Sequence, residues 1–333
     1  MYDLEPQRAA DEINRHGATR VLVQLPDGLR PQALTLAQEL ETLTGAEILL
    51  SGDSCYGACD LATTQAESLD ADLLIHYGHS DMKIETSIPV IYVEARVDYD
   101  PETLLEAALP LMEGWEKIGL AATVQHVHRL KETAPTLERF GKTPILGRGT
   151  GRAPHDGQIL GCDYTTAINI ADEADGFLYI GAGRFHPLGL ATATGRPVVM
   201  ANPYTSTAER LGEREVMRLA MRRMAAITAA KEAERYGIVV STKPGQLQLS
   251  AARSLRDKLK KLGKTSVIIC LDEISSLKLG NFSEIQAFVN TACPRIAVDG
   301  LPDTIQLILT TIEAEIMLGE RRWEETWGRQ YFG

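Results

Sequence analysis

Five cysteines are the residues of this 333-residue chain most able to bind a metal or to transfer electrons. Two of them share a context, because Cys59 and Cys162 are each followed by aspartate and, shortly after, by a Thr-Thr pair. Each also lies 13 residues before an aspartate that opens an apolar stretch, Asp72 in one case and Asp175 in the other. The sequence therefore predicts that these two thiols hold equivalent positions in two copies of a repeated unit.

A third copy of the unit contains two candidates for an equivalent thiol. Cys270 ends an apolar stretch, close to position 271, where the spacing of the repeat would place a cysteine. Cys293 instead lies in the segment 290–295, which has the composition of a loop. Internal symmetry favours Cys270 and loop placement favours Cys293, so the pattern alone leaves both open.

Three thiolates from separate units would suit a soft metal or an iron–sulfur cluster. A cubane cluster with three protein ligands keeps one iron open to substrate. Zinc is an alternative, although a structural zinc site usually has a fourth Cys or His and one short spacing, which only Cys55 and Cys59 approach. A redox-active dithiol is a third possibility, but it would ordinarily use a closer pair of cysteines.

The cysteines must be positioned by three similar α/β units. Each unit opens with a short apolar strand, followed by a second strand and by a third that begins with an acidic residue. These strands are predicted at 21–25, 46–50 and 72–76 in the first unit, at 119–122, 143–146 and 175–180 in the second, and at 238–240, 266–270 and 284–289 in the third. A fourth strand ends the first two units, at 89–93 and 197–200. Helical patterns follow the first strand of the first and third units, with Leu36, Leu40 and Leu43 sharing a face of one helix and Leu255, Leu259 and Leu262 a face of the other.

Alternating strands and helices predict parallel sheets with flanking helices. We expect an α/β protein of three small domains, 1–114, 115–232 and 233–333, arranged with pseudo-threefold symmetry around a central site. The loops after the carboxyl ends of parallel strands are where such sheets bind ligands.

Composition limits the classes of function. The chain is 44% hydrophobic and 24% charged, with 34 Lys and Arg against 45 Asp and Glu, typical of a soluble globular protein. Its net charge of −11 argues against nucleic-acid binding, which depends on neutralising phosphates. No apolar run approaches a membrane span and the first residues are charged, so we expect neither a signal peptide nor a membrane anchor, and a cytoplasmic location.

Five segments together resemble the archaeal 2-(3-amino-3-carboxypropyl)histidine synthase family, which performs the first step of diphthamide biosynthesis. They are LPDGLR at 25–30, DSCYGACD at 53–60, TVQH at 123–126, QILGCD at 158–163 and ACPRIA at 292–297. The resemblance extends along essentially the whole chain. It implies homodimers of three-domain subunits in which one cysteine per domain holds a 4Fe-4S cluster, here Cys59, Cys162 and Cys293. Cys55 and Cys270 then have no ligand role, and we expect Cys270 in the core.

The resemblance also implies a reaction. The reduced cluster cleaves S-adenosylmethionine, releasing 5'-methylthioadenosine and a 3-amino-3-carboxypropyl radical that adds to C2 of a histidine in translation elongation factor 2. An electron donor must therefore serve as a further partner. The C-x3-C-x2-C triplet of classical radical enzymes is missing, which agrees with a non-classical cleavage.

The loops after the first strand of each unit supply candidate contacts to S-adenosylmethionine. Asp27 and Gly28 could receive an amino group or a ribose, Gln125 ends the first strand of the second unit, and Lys243 and Gln246 could face the methionine carboxylate. The alternative is that these segments are only tight turns that feed helices.

Other features keep alternative interpretations open. His186 follows a glycine-rich stretch, 181–183, that could let the backbone approach a ligand. The segment 209–235 has the pattern of a long helix, with one stripe of arginines and one of methionines, Arg210, Arg214, Arg218 and Arg222 and Met217, Met221 and Met224. The arginine stripe could dock an acidic surface, form part of a dimer seam or be a solvated face.

Two other functions compete with the synthase. Quinolinate synthase also joins three α/β domains around a cluster, but its motifs are not evident. A non-catalytic iron–sulfur partner subunit would be favoured by loss of one of the three motif cysteines, and all three are present.

Overall fold

Three sheets, one for each predicted unit, form the framework of the computed structural model, which describes residues 2–302 and 306–332. The first sheet is parallel with the order β2-β1-β3-β4, and its strands are β1 (Arg20–Gln24), β2 (Glu47–Leu50), β3 (Leu73–Tyr77) and β4 (Val90–Val93). Every residue of β3 is buried, as expected for a parallel strand covered by helices on both faces.

The other two sheets repeat this strand order. The second is β6-β5-β7-β8-β9, formed by β5 (Lys117–Ala122), β6 (Thr143–Leu146), β7 (Gly176–Ile180), β8 (Val198–Asn202) and the antiparallel edge strand β9 (Thr207–Arg210). The third is β11-β10-β12-β13, formed by β10 (Arg235–Ser241), β11 (Thr265–Leu271), β12 (Ala287–Asn290) and β13 (Leu307–Thr310). The predicted α/β class with three parallel-dominated sheets is therefore confirmed.

Helices flank each sheet. Those before the second sheet are α1 (Pro6–His16), α2 (Ala33–Thr44), α3 (Thr63–Ser68) and α4 (Pro101–Ala108). Those between β5 and β10 are α5 (Val124–Val127), α6 (Leu130–Arg139), α7 (Thr165–Ile168), α8 (Phe185–Thr194) and α9 (Glu213–Lys231). The remainder are α10 (Leu249–Lys261), α11 (Ser276–Gly280), α12 (Arg295–Asp299), α13 (Thr311–Met317), α14 (Trp323–Thr326) and α15 (Arg329–Phe332), with short 3-10 helices at Asp27–Gln32, Leu109–Met112 and Pro244–Gln246.

Two helices join neighbouring units. Helix α4 precedes residue 114, yet its Leu104 and Leu105 pack in one core cluster with Ile118 of the second sheet. Helix α9 places Leu219 in a core cluster of the second unit and Ile227 in the core of the third. The packing of α4 and α9 therefore ties the three units into one structure.

Several predicted elements differ from the structure. The predicted helix 209–235 begins only at Glu213, because 207–210 forms β9 on the edge of the second sheet. The third unit has a fourth strand, β13, that the apolar pattern did not predict. Leu43 and Leu262 are 40% and 59% exposed, so the apolar faces of α2 and α10 are narrower than predicted. Cys270 is exposed on β11, and its predicted place in the core is wrong.

The start of each first strand is held by one side chain that precedes the third strand. This side chain accepts hydrogen bonds from two successive backbone N–H groups: Asp72 from Thr19 and Arg20, Asp175 from Glu116 and Lys117, and Gln286 from Glu234 and Arg235. The acidic residue predicted to open the third strand is thus an amide in the third unit, two residues after Glu284.

Candidate metal centre

Three cysteines, one from each unit, meet at the carboxyl ends of the strands. Cys59 lies in the loop between β2 and α3, Cys162 in the loop between β6 and α7, and Cys293 between β12 and α12. All three are free thiols, and all three line both of two neighbouring cavities. The structure thus brings together the cysteines that the family resemblance implies, and leaves Cys270 on the surface.

The two cavities differ in their other lining residues. The Gln125 cavity, of about 190 Å³, is also lined by Gln125, Gln158 and His186. The Gln246 cavity, of about 230 Å³, is lined instead by Arg152 and Gln246 beside the same cysteines. A group bound by the three thiols would therefore have a cavity on two of its sides.

Hydrogen-bond donors point at two of the sulfur atoms. Gln246 Nε2 donates to Cys59 Sγ at 3.3 Å, and Arg152 Nη2 donates to Cys162 Sγ at 3.4 Å. Burial nevertheless raises the pKa of all three thiols, that of Cys293 to about 12. Because a buried thiolate is costly without a cation, this centre favours the deprotonated form only when a metal is bound.

The loop that bears Cys59 is held by the third unit. Gly245 N donates to Cys59 O at 3.0 Å, and a Cβ added at Gly245 would lie 2.6 Å from Cys59 Cα. Next to it, Lys243 Nζ donates to Asp60 Oδ1 at 2.6 Å, and both side chains are over 90% buried. Although burial disfavours charge on the ammonium, the hydrogen bond from Lys243 to Asp60 raises the pKa of Lys243.

The Cys293 turn is held by its own strand. Asn290, the last residue of β12, donates from Nδ2 to Cys293 O at 2.7 Å and accepts from Ala292 N at 3.0 Å. These two bonds fix the short turn between β12 and α12, so Cys293 is directed by the end of the third strand rather than by a loop after the second.

Counting along the repeat favoured Cys270 because the count began at Glu284, whereas Gln286 is the residue equivalent to Asp72 and Asp175. The connections between the second and third strands also differ in length. Paired positions on the second and third strands are separated by 25, 32 and 21 residues in the three units, from Ile48 to Leu73, Pro144 to Gly176 and Ser266 to Ala287. Counting 13 residues back from Gln286 gives Glu273. Glu273 accepts hydrogen bonds from Ser54 and Tyr56 in the Cys59 loop, at 2.9 and 2.8 Å.

The five predicted S-adenosylmethionine contacts lie in different places. Gln125 lines one cavity and donates to Gly78 O at 2.6 Å, and Gln246 lines the other. Lys243 lines neither cavity, because its ammonium is paired with Asp60. Asp27 is 79% exposed and pairs with Arg30, and Gly28 is exposed beside it, so the structure does not bring these two residues to the centre.

Residues that the sequence did not single out complete the walls. Gln158, in the same segment as Cys162, donates to Ser80 Oγ at 2.7 Å across two units. Arg295, two residues after Cys293, lies over the ring of Phe185 at 3.9 Å from its centroid. Both lie in segments that resemble the synthase family, 158–163 and 292–297, and that resemblance was the available signal. Arg152 had no such signal, since it lies ten residues before Cys162.

The donor set fits a 4Fe-4S cluster with three protein ligands. Among the described residues, which include all five cysteines, no fourth cysteine lines either cavity, so a zinc site with four thiolate ligands does not fit. Two histidines, His79 and His186, line the Gln125 cavity beside the thiols. Because the three cysteines line both cavities, a substrate bound in either cavity could reach a cluster held by these thiols. Within 2–302 and 306–332, no helix is both long and apolar enough to span a membrane.

Known proteins are similar to this chain along most of its length. Residues 25–328 match the family model described as putative diphthamide synthesis protein. The chain is 38% identical to the 2-(3-amino-3-carboxypropyl)histidine synthase of Pyrococcus horikoshii, over 96% of this chain and 92% of that protein. It is 29% identical to subunit 1 of the Homo sapiens enzyme of that name, over 99% of this chain and 75% of that one.

Solved structures agree in fold. The crystal structure of Dph2 from Pyrococcus horikoshii superposes with a TM-score of 0.87 at 38% identity, over 97% of this chain and 93% of that chain. The structure of the same protein with a 4Fe-4S cluster also has a TM-score of 0.87, over 96% and 92% of the two chains. The chain therefore belongs to the diphthamide synthesis protein family.

Proposed function

We propose that this chain is a 2-(3-amino-3-carboxypropyl)histidine synthase. It transfers the 3-amino-3-carboxypropyl group of S-adenosylmethionine to C2 of a histidine in translation elongation factor 2. The observation that most supports this is the convergence of Cys59, Cys162 and Cys293 on two shared cavities, in a chain similar to a synthase whose structure has been solved with a 4Fe-4S cluster.

Cys59, Cys162 and Cys293 would hold the cluster. When bound, the cluster supplies the single electron that breaks the bond between the sulfonium sulfur and the γ-carbon, giving 5'-methylthioadenosine and a 3-amino-3-carboxypropyl radical. The protein would select this bond by orientation, by binding S-adenosylmethionine so that its γ-carbon lies toward the three-cysteine centre. Gln125 and Gln246 are our candidate contacts, since each lines a cavity beside the cysteines.

Other residues would position this machinery. Lys243 holds Asp60 and thereby the Cys59 loop, and Asn290 holds the Cys293 turn. Arg152 donates to Cys162 Sγ and would stabilise its thiolate in the loaded centre. These contacts keep the three thiols together before any metal arrives.

The proposal includes partners. The protein substrate is elongation factor 2, an electron donor reduces the cluster, and two copies of this chain form a homodimer in the cytoplasm. The net charge of −11 supports recognition of the substrate as a protein, without contact to nucleic acid.

Mass spectrometry tests this function. The anaerobically reconstituted and reduced protein is incubated with S-adenosylmethionine and elongation factor 2, and both the factor and the released nucleoside are analysed. We expect a 3-amino-3-carboxypropyl adduct on one histidine and 5'-methylthioadenosine in equal amount. The Cys162→Ala variant should yield neither product, whereas Cys270→Ala should yield both. Release of 5'-deoxyadenosine as the main nucleoside would refute the proposed cleavage.

A further inference from the structure

A second set of metal-ligating side chains lies beside the three-cysteine centre. Cys55, His76 and His79 offer ligand atoms that all lie within 4.8 Å of one another. Cys55 and His76 are buried, and His79 is half-buried. Cys55 and His76 line neither of the two cavities, while His79 forms part of the wall of the Gln125 cavity. The proposed transferase mechanism uses none of the three.

The hydrogen bonds of Gln24 set the tautomer of His76. Gln24 Nε2 donates to Asp60 O at 2.7 Å, so its Oε1 is the atom that accepts from Ala62 N and from His76 Nδ1, at 3.1 and 2.8 Å. His76 Nδ1 therefore bears the hydrogen and Nε2 bears a lone pair. A histidine that binds a metal through one ring nitrogen usually donates a hydrogen bond from the other, and this bond fixes its tautomer and orientation.

The lone pair of His76 points at the second histidine. His76 Nε2 and His79 Nδ1 are 2.9 Å apart, which in the metal-free protein is a hydrogen bond donated by His79. Burial lowers the pKa of both rings, that of His79 to about 4, so both are neutral near pH 7. Two neutral imidazoles and one thiol thus lie within 4.8 Å of one another, and the group contains no carboxylate.

We propose that Cys55, His76 and His79 bind one Zn²⁺ ion, separately from the iron–sulfur cluster. One thiolate and two imidazoles are the ligand types that Zn²⁺ prefers, with a fourth position left for water or another group. Binding releases one proton, from the Cys55 thiol, and the hydrogen of His79 moves from Nδ1 to Nε2 so that Nδ1 can bind the metal. No redox step is involved.

The register of the sheets relates this site to the cluster site. Val21 and Tyr236 are equivalent first-strand positions, and they pair with Leu73 and Ala287 respectively. Counting from these pairs, His79 occupies in the first unit the position of Cys293 in the third. The first unit therefore has a side chain able to bind a metal at both of these positions. Cys59 corresponds to Cys162 of the second unit, and His79 corresponds to Cys293 of the third. A bound Zn²⁺ would tie the Cys59 loop, through Cys55, to the end of β3.

Metal counting tests the proposal without measuring transferase activity. The full chain is reconstituted with iron and sulfide, exposed to excess ZnCl₂, desalted and analysed for both metals. We expect one Zn²⁺ per chain, which Cys55→Ser and His79→Gln each lose while their iron content stays at the wild-type level. The exposed Cys270→Ser is the matched control and should keep both metals. Gln24→Ala should weaken Zn²⁺ affinity roughly 10- to 100-fold in competition with a chelator.

A spectroscopic measurement covers the case in which a variant folds poorly. The Cys59→Ala/Cys162→Ala/Cys270→Ser/Cys293→Ala variant cannot hold the cluster and keeps Cys55 as its one cysteine. Co²⁺ added to it therefore reports on Cys55 through a thiolate-to-cobalt charge-transfer band. The proposal is overturned if this band is absent, or if Zn²⁺ content is unchanged in both Cys55→Ser and His79→Gln. It is also overturned if those variants lose iron in proportion to zinc, since the three residues would then serve the cluster.

Discussion

Burial determines the chemistry of the cysteines. The thiols of Cys59, Cys162 and Cys293 have raised pKa values because burial removes water from around them. Only a bound metal offsets the free-energy cost of ionising them. Cys270 lies exposed on β11, away from both cavities. Convergence on the two cavities distinguishes the three proposed cluster ligands from the exposed Cys270 and from Cys55, which is buried but lines neither cavity.

Single alanine substitutions should divide the cysteines accordingly. We expect Cys59→Ala, Cys162→Ala and Cys293→Ala to lose most of the iron bound after anaerobic reconstitution, because a three-thiolate centre has no spare ligand. Cys270→Ala should bind as much iron as the wild type. Iron analysis and the absorbance of the cluster provide the measurement. If Cys270→Ala lost iron while Cys293→Ala kept it, the ligand assignment in the third unit would be wrong.

Gly245 offers a test of how closely the third unit holds Cys59. A methyl group at this position would lie 2.6 and 2.7 Å from Cys59 Cα and Cβ, so Gly245→Ala must displace the loop. We expect a loss of about 1–3 kcal/mol in the free energy of unfolding, measured with urea, together with reduced iron loading. The matched control is Gly28→Ala, where nothing lies within 4 Å of the added methyl group. Equal iron loading in the two variants would contradict the tight contact.

At the scale of elements, one polar side chain holds each pair of first and third strands. Backbone N–H groups of Arg20 and Thr19 lower the pKa of Asp72, and those of Lys117 and Glu116 lower that of Asp175. Gln286 makes the same two bonds in the third unit without a charge. The stability contributed by these hydrogen bonds at the start of the first strand should therefore depend on pH in the first two units and not in the third.

The sign of this pH dependence follows from the lowered pKa values. The two carboxylates contribute stability that is complete above the ordinary pKa of 3.8 and is lost as the pH falls through the lowered values. We expect the Asp72→Asn/Asp175→Asn double variant to be less stable than the wild type at neutral pH. When the pH is lowered from about 6 to about 3, its free energy of unfolding should fall by less than that of the wild type.

The control for this comparison is Gln286→Ala, which removes the equivalent acceptor without removing a charge. It should lower stability by a similar amount at both pH values. Urea unfolding of the metal-free chain at each pH provides the measurement. If the double variant lost as much stability on acidification as the wild type, the strand-start carboxylates would not be the source of the acid sensitivity.

The sequence predicted the buried elements well and the edge elements poorly. Central strands such as β3 and β7 are buried along their whole length, so their continuous apolar runs were recognisable. Strand β9 is largely exposed and pairs antiparallel at an edge, and its residues lack any apolar alternation. The start of α9 was therefore misplaced by the charged residues of β9, which extend the helical pattern backwards.

The same distinction applies to the candidate site. The cysteines are embedded in local motifs, and their spacing to the next strand exposed the repeat. Arg152 and Lys243 owe their positions to contacts that cross loops or units, with Cys162 and Asp60 respectively. No local pattern encodes such contacts. Only the folded arrangement shows that Lys243 pairs with Asp60.

At the scale of the whole molecule, buried polar contacts join the three units around the centre. Gln125 of the second unit donates to Gly78 O of the first. Arg223 of α9 pairs with the buried Glu313 of α13 through two hydrogen bonds, at 2.7 and 2.6 Å. Lys243 of the third unit donates a hydrogen bond to Asp60 of the first, so each unit is joined to the other two. The centre therefore depends on interfaces between units as much as on the loops that bear the thiols.

The Lys243–Asp60 pair allows this dependence to be measured. Lys243→Met leaves a buried carboxylate without its partner, so we expect a loss of about 3–5 kcal/mol in the free energy of unfolding and weaker iron loading. Adding Asp60→Asn removes the stranded charge, so the double variant should recover part of both losses. The matched control is Lys258→Met, which breaks a more exposed pair with Glu320 and should cost about 0–1 kcal/mol. Urea unfolding and iron analysis provide the measurement. They are applied to Lys243→Met, Asp60→Asn and the double variant, which form a double-mutant cycle with the wild type, and to the control Lys258→Met. If Lys243→Met cost no more than Lys258→Met, the contact between the first and third units would not be what holds the Cys59 loop in place.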